Sequence, residues 1–193
     1  MATNPTVHKP DRAGFALLMA LIVVSVVVTI GLSVLDLSLK QVRLSTNAKD
    51  SEIAFHAANA GMECARYWRR VDATVMENGG TINPSCFSGT ATVDPVLAIV
   101  NDSDKKAFLY KYSITWQGSD RCSQITTLVA SSTASSAGVT VSNMKTLIKG
   151  YPTDTKVCSA GTRCSVLSVR GYNKPCGSVS EYGTVEREVL LQF

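Results

Sequence analysis

From Phe15 to Leu35 the chain runs for 21 residues without one formal charge. As a helix this run would be roughly 31 Å long, about the thickness of a bilayer core. Hydrocarbon offers no partner for backbone N–H and C=O groups, so helix is the required conformation there, despite the many valines. A secretory signal peptide is the competing reading, but its apolar core is shorter, about 7–15 residues, with a small-residue cleavage site close behind. Here Asp36-Leu-Ser-Leu-Lys-Gln-Val-Arg-Leu-Ser-Thr46 continues the helical pattern, and the nearest small-residue patches lie around Ala54–Ala60. The run therefore reads as a retained single span over residues 15–35, which excludes a simple cytosolic globule.

The helix is not expected to stop at the membrane. No proline occurs between Pro10 and Pro84. Beyond the apolar run, Leu44, Ala48, Ser51, Phe55, Ala58, Met62 and Ala65 recur at steps of four and three, forming one narrow, small-rich face. Lys40, Arg43, Lys49, Asp50, Glu52, Glu63, Arg66 and Arg69 lie mostly off that seam. This periodicity predicts one helix from about Phe15 to about Val75, roughly 90 Å in length. Such a helix cannot bury itself against one small domain, so its narrow face is expected to pack on other helices. Glu63 and Arg66 read as ordinary surface support worth about 0.2–0.5 kcal/mol, and His56 reads as polar surface.

Charge and cysteine usage narrow the function classes. The net charge of +4 is scattered singly or in pairs, with Arg69-Arg70 and Lys105-Lys106 the densest basic spots, and no stripe tracks a phosphate backbone. No direct nucleic-acid binding is expected. His8 and His56 are the only histidines, no glycine-rich phosphate loop occurs, and no nucleophile–base–orienter set can be assembled, so no enzymatic activity and no cofactor are expected. Cys64, Cys86, Cys122, Cys158, Cys164 and Cys176 all follow the apolar run, which points to an oxidising compartment outside the cytoplasm. The absence of a CxxC pair or a histidine partner argues against metal and redox roles.

After Val75 the sequence changes character. Asn78-Gly-Gly-Thr breaks the helix, and Asn83-Pro-Ser-Cys86 continues as loop. Alternation is clearest at Ala107–Trp116, where Phe108, Tyr110, Tyr112, Ile114 and Trp116 share one face and Leu109, Lys111, Ser113 and Thr115 the other. Gln124–Ala130, Arg163–Arg170 and Thr184–Phe193 are further candidate strands; in the last, Val185, Val189, Leu191 and Phe193 align, with Arg187 on the apolar face at its edge. The Ser/Thr/Ala-rich stretch Ala130–Gly138 reads as an exposed loop. The aromatic stripe reads as core rather than ligand box. The resulting class is α+β: a small antiparallel sheet packed on the outer half of a long helix. Six cysteines admit fifteen pairings. Cys158 and Cys164 are close enough for a small loop, Cys176 could tie a turn to the sheet, and Cys64 could staple the Cys86 loop to the helix, each bridge contributing about 2–4 kcal/mol.

Residues 10–70 carry a family resemblance. The leader MATNPTVHKPDRAG ends in Gly14 and is followed by Phe15-Ala-Leu-Leu-Met-Ala-Leu-Ile, then by Asp50-Ser-Glu-Ile-Ala-Phe-His-Ala-Ala-Asn-Ala-Gly-Met-Glu63. This resembles the class III signal of type IV pilins and pseudopilins, and the later stretch resembles the corresponding region of PilX-like minor pilins. The resemblance implies a pilin-like fold, removal of residues 1–14 by a prepilin peptidase between Gly14 and Phe15, and N-methylation of the new terminus. It divides the chain into a leader (1–14), a long helix (15–75) and an extracytoplasmic head (76–193). It also implies a bacterial inner-membrane protein, single-pass, with its amino terminus in the cytoplasm, where Lys9 and Arg12 outweigh Asp11. From the bilayer it would pass into a surface pilus or periplasmic pseudopilus. The implied partners are other major and minor pilins, an inner-membrane assembly platform and its cytoplasmic ATPase. Most pilins carry glutamate at the fifth mature position, where this chain has Met19. K-type pseudopilins of type II secretion also lack it and sit at the filament tip, so the resemblance implies a tip or priming role. A type II pseudopilin and a single-pass envelope protein that oligomerises laterally are the competing readings.

Overall fold

The computed structural model describes residues 13–86, 88–116, 118 and 121–193. Most of the leader expected at residues 1–14 lies outside the described residues. The chain divides into two compact units, residues 1–47 and 48–193. A helix, α1, covers Ala13–Val71 and so enters both.

In the first unit every described side chain from Gly14 onward is exposed. The helix is long and apolar enough to cross a membrane, with a mean hydropathy of 2.9 over its most apolar window. Its polar interruptions are internally satisfied. The hydroxyls of Ser25, Thr29, Ser33 and Ser38 donate to carbonyls three or four residues earlier, at 2.8–3.0 Å. Hydroxyls bonded in this way need no water, which makes them tolerable in hydrocarbon.

The second unit is the head. Here α1 ends at Val71, and α2 spans Ala73–Glu77. The single helix expected to reach Val75 is thus divided at Asp72, a poor helix former that leaves helical geometry at φ −100°, ψ 29°. The offset turns Met76 and Glu77 inward, and both are buried. Gly79, at φ +73°, then reverses the chain beneath the Phe108 ring, a conformation that glycine adopts without strain.

The strands follow: β1 (Ser85–Cys86), β2 (Gly89–Thr90), β3 (Thr92–Val93), β4 (Leu97–Asn101), β5 (Lys105–Thr115), β6 (Cys122–Ser132) and β7 (Val139–Val141). After the short helix α3 (Met144–Leu147) come β8 (Lys156–Cys158), β9 (Arg163–Tyr172) and β10 (Glu186–Gln192). The main sheet is antiparallel in the order β10–β9–β6–β5–β3, with β4 also pairing with β5. This is the expected α+β architecture, a long amino-terminal helix packed on an antiparallel sheet. The stretch expected as a loop from Ala130 is strand as far as Ser132, because β6 stays paired with β9 to Ser131 and with β5 to Ser132.

Period-two alternation sorts the sheet residues into two cores. Phe108, Tyr110, Tyr112, Ile114, Ile125, Val129, Leu167 and Val169 face the helix side with Met62, Ala65 and Met76. Ala107, Leu109, Leu128, Ala130 and Val166 face the other way, under a flap made by β7, α3 and β8 that contributes Val139, Val141, Met144 and Ile148. The aromatic stripe is core. The face opposite it, which reads as mixed in sequence, is apolar for half its length because the flap covers that half.

Candidate functional site

Ala54, Ala57, Ala58, Gly61 and Ala65 place almost no side-chain bulk between the helix backbone and the sheet, and all five are buried. Opposite them stand Gly171 of β9 and Ser123 of β6. A Cβ on Gly171 would overlap the Ala54 carbonyl oxygen and the Ala58 nitrogen. A Cβ on Gly61 would come within 2.8 Å of both Ser123 Cβ and Val169 Cγ1. The Ser123 hydroxyl donates to the Ala57 carbonyl at 2.7 Å, fixing the register of the two backbones. Helix and strand thus meet main chain to main chain.

The seven-residue face read from the sequence is divided by this contact. Ala58, Met62 and Ala65 are buried beneath the sheet, so a neighbouring subunit cannot use them. Ser51 is half-buried and accepts from Arg187 Nε and Nη2 at 2.8 and 2.7 Å. Leu44, Ala48 and Phe55 are exposed and remain open to another helix. The division has a simple cause. The sheet meets α1 on the side that carries Ala54, Ala58, Gly61 and Ala65, so a member of the sequence-read face that points away from that side, such as Phe55, stays exposed. Sequence reasoning missed Ala54, Ala57, Gly61, Ser123 and Gly171. A glycine interrupting the strand pattern Val169-Arg-Gly-Tyr172 is the signal that could have found the crossing, since such glycines mark close backbone approach.

At the end of the seam Arg69 and Glu77 form a buried ion pair at 2.9 Å. Arg69 Nε also donates to Ser165 Oγ of β9 at 2.8 Å, and the exposed Arg163 lies 3.3 Å from the second Glu77 oxygen. Helix, turn and sheet are joined through this one carboxylate. Tyr110 Oη lies 3.0 Å from the Met76 carbonyl and 3.1 Å from that of Gly80, so its one proton has two acceptors on the turn. Burial pushes its phenol up to about 12, with the Arg69 charge opposing, and burial raises Tyr112 as well.

Three disulfides close the head: Cys64–Cys86, Cys122–Cys176 and Cys158–Cys164. The first ties α1 to β1, the second ties β6 to the β9–β10 connection, and the third ties β8 to β9. Chain-entropy arithmetic gives about 3, 4 and 2 kcal/mol for loops of 22, 54 and 6 residues.

Gly14 and Phe15 lie within the first turns of α1, and Phe15 is exposed. Met19 is half exposed on the same helix. His56 lies 3.6 Å from Glu52 at the surface, and Arg66 pairs with Glu63 at 2.9 Å. Among the described residues no group of three or more His, Cys, Asp and Glu could hold a metal ion. No protein-family model matches the chain, and neither a curated protein nor a solved structure matches it significantly.

Proposed function

We propose that this chain is a minor subunit of a type IV pilus-class filament, anchored in the bacterial inner membrane before assembly and placed at or near the filament tip. One observation carries the reading. A single helix supplies both a charge-free stem and, further along, the element around which a disulfide-closed antiparallel head folds. A stem of this composition suits two successive environments, lipid first and then the apolar interior of a helix bundle. The exposed Leu44, Ala48 and Phe55 continue an apolar line suited to neighbouring helices. The resemblance at Gly14–Phe15 and at residues 50–63 supports the same reading and brings its partners: a prepilin peptidase, other pilins and an assembly platform.

Met19 supports the tip position. A charged amino terminus buried in an apolar filament is costly unless an opposite charge meets it. A thioether cannot meet the amine of a neighbouring subunit as a carboxylate would, and a subunit at the end of the filament has no need to do so. The same residue keeps a type II secretion pseudopilin as the second reading, since K-type pseudopilins share that absence.

Sheared filaments from the native host provide the test. Immunogold labelling of the wild-type chain is expected at filament ends, in a few copies. Met19→Glu is expected to raise its abundance and spread the label along the shaft. Absence of the chain from filaments, or unchanged abundance and position in the variant, would sink the proposal.

A further inference from the structure

The basic pair Lys105-Lys106 takes no part in the stem or the seam, and strand register gives Lys106 a cationic neighbour. Lys106 of β5 stands opposite Ser131 of β6, and Ser131 stands opposite Arg163 of β9. Directly opposed residues of an antiparallel sheet share a face. This row is therefore on the helix side, next in line after Phe108, Val129 and Ser165. Two strand spacings, about 10 Å, separate the main chains of Lys106 and Arg163.

Both side chains reach the same end of α2. Lys106 Nζ donates to Asn78 Oδ1 at 2.8 Å, and Arg163 Nε lies 3.3 Å from Glu77 Oε2. Glu77 and Asn78 are consecutive, so the two cations are drawn over Ser131 from opposite sides. A groove of about 390 Å³ opens here, lined by these five residues and bounded by Asp104 and Lys105 of the β4–β5 turn. That volume falls in the range that takes small ligands, roughly 300–1,000 Å³.

The charges do not cancel. Lys105, Lys106 and Arg163 line the groove against Glu77 and Asp104, while Asp102 of the same turn does not line it. Arg69 stands behind Glu77 at 2.9 Å. Four cations against two carboxylates leave a net charge of about plus two. Each Glu77 oxygen faces an arginine, Oε1 Arg69 and Oε2 Arg163, which screens the carboxylate from an incoming anion. Donors remain for such an anion. Lys106 uses one of its three N–H groups on Asn78. Arg163 meets Glu77 through Nε, which leaves its two terminal nitrogens for another acceptor. The Ser131 hydroxyl has no hydrogen-bond partner among the described residues.

An ammonium, a hydroxyl and a guanidinium fork together need an acceptor with three oxygens. A phosphate monoester supplies them, with about 1.5 to 2 negative charges at neutral pH. A carboxylate has two oxygens and one charge, so it leaves a donor and a positive charge unmatched. We infer that this notch is a binding site for a phosphate monoester, its oxygens on Lys106 Nζ, Ser131 Oγ and the Arg163 guanidinium. The inference concerns the head alone and does not depend on filament membership.

Full-length chain in non-ionic detergent, titrated at constant ionic strength with inorganic phosphate, glycerol 3-phosphate and dihexanoyl phosphatidic acid, tests it by calorimetry or phosphorus NMR. Binding is expected at about 1 mM or tighter, with acetate about tenfold weaker. Lys106→Gln and Arg163→Gln are each expected to weaken phosphate binding about tenfold. Arg163→Lys, which keeps the charge without the fork, is expected to weaken it about threefold. Lys111→Gln, on the opposite face of β5, is the control and should bind as the wild type does. Equal affinity for glycerol 3-phosphate and the lipid supports the site with a free monoester as ligand. Tighter lipid binding that the same variants weaken supports it with a lipid headgroup as ligand. No phosphate binding at millimolar ligand, acetate as tight as phosphate, or full affinity in both glutamine variants would overturn the assignment.

Discussion

Gly171→Ala is expected to destabilise the head by about 3 kcal/mol or more, at the upper end of what overpacking costs, and a larger residue should prevent folding. The added methyl meets main chain, the Ala54 carbonyl and the Ala58 nitrogen, which cannot rotate aside as a side chain would. Relief requires α1 to lift from β9 along its length, breaking the Ser123–Ala57 hydrogen bond and opening the helix-side core around Met62 and Val169. For a chain of this size the loss corresponds to about 10 °C in Tm, read on the detergent-solubilised, disulfide-intact protein. Gly177→Ala is the control, because no atom lies within 4 Å of its Cβ position. Equal midpoints for the two variants would show that the close crossing does not hold the head together.

Glu77→Ala carries the second large effect. It strands the Arg69 guanidinium, 7% exposed, with Ser165 as its remaining partner, and loss of one member of a buried pair costs about 3–5 kcal/mol. Arg163, 69% exposed, adds little to the pair, because solvent screens it. The sign of a second variant separates this mechanism from simple loss of packing. Replacing both charges in Arg69→Met/Glu77→Leu removes the uncompensated cation, so the double variant is expected to be more stable than Glu77→Ala alone. A double variant at least as unstable as Glu77→Ala would refute the role given to the unpaired guanidinium.

The elements with strong periodicity were legible in the sequence. Phe108–Ile114 alternate because one side of β5 faces the helix, and the same arithmetic located β6, β9 and β10 to within a few residues. The apolar stem was legible from length and charge alone. The seam was not, because its residues are chosen for smallness, and alanine and glycine carry no hydropathic signature of a partner far along the chain. Leu44 and Phe55 belong to the seven-residue pattern yet lie exposed, while Ala54 and Gly61 fall outside it and are buried. Asp72 is only a weak local signal for the end of α1, and the break serves a tertiary need, since Met76 reaches the core and Glu77 reaches Arg69.

The reading of the stem as an anchor before assembly and a packing element afterwards stands on one covalent event. Intact-mass and amino-terminal fragment analysis of the protein purified from native envelopes would detect it directly. A mature chain beginning at Phe15, with or without a methyl group on its amine, is the expected result. A chain that retains Met1 to Gly14, or one cleaved beyond the apolar run, would contradict it.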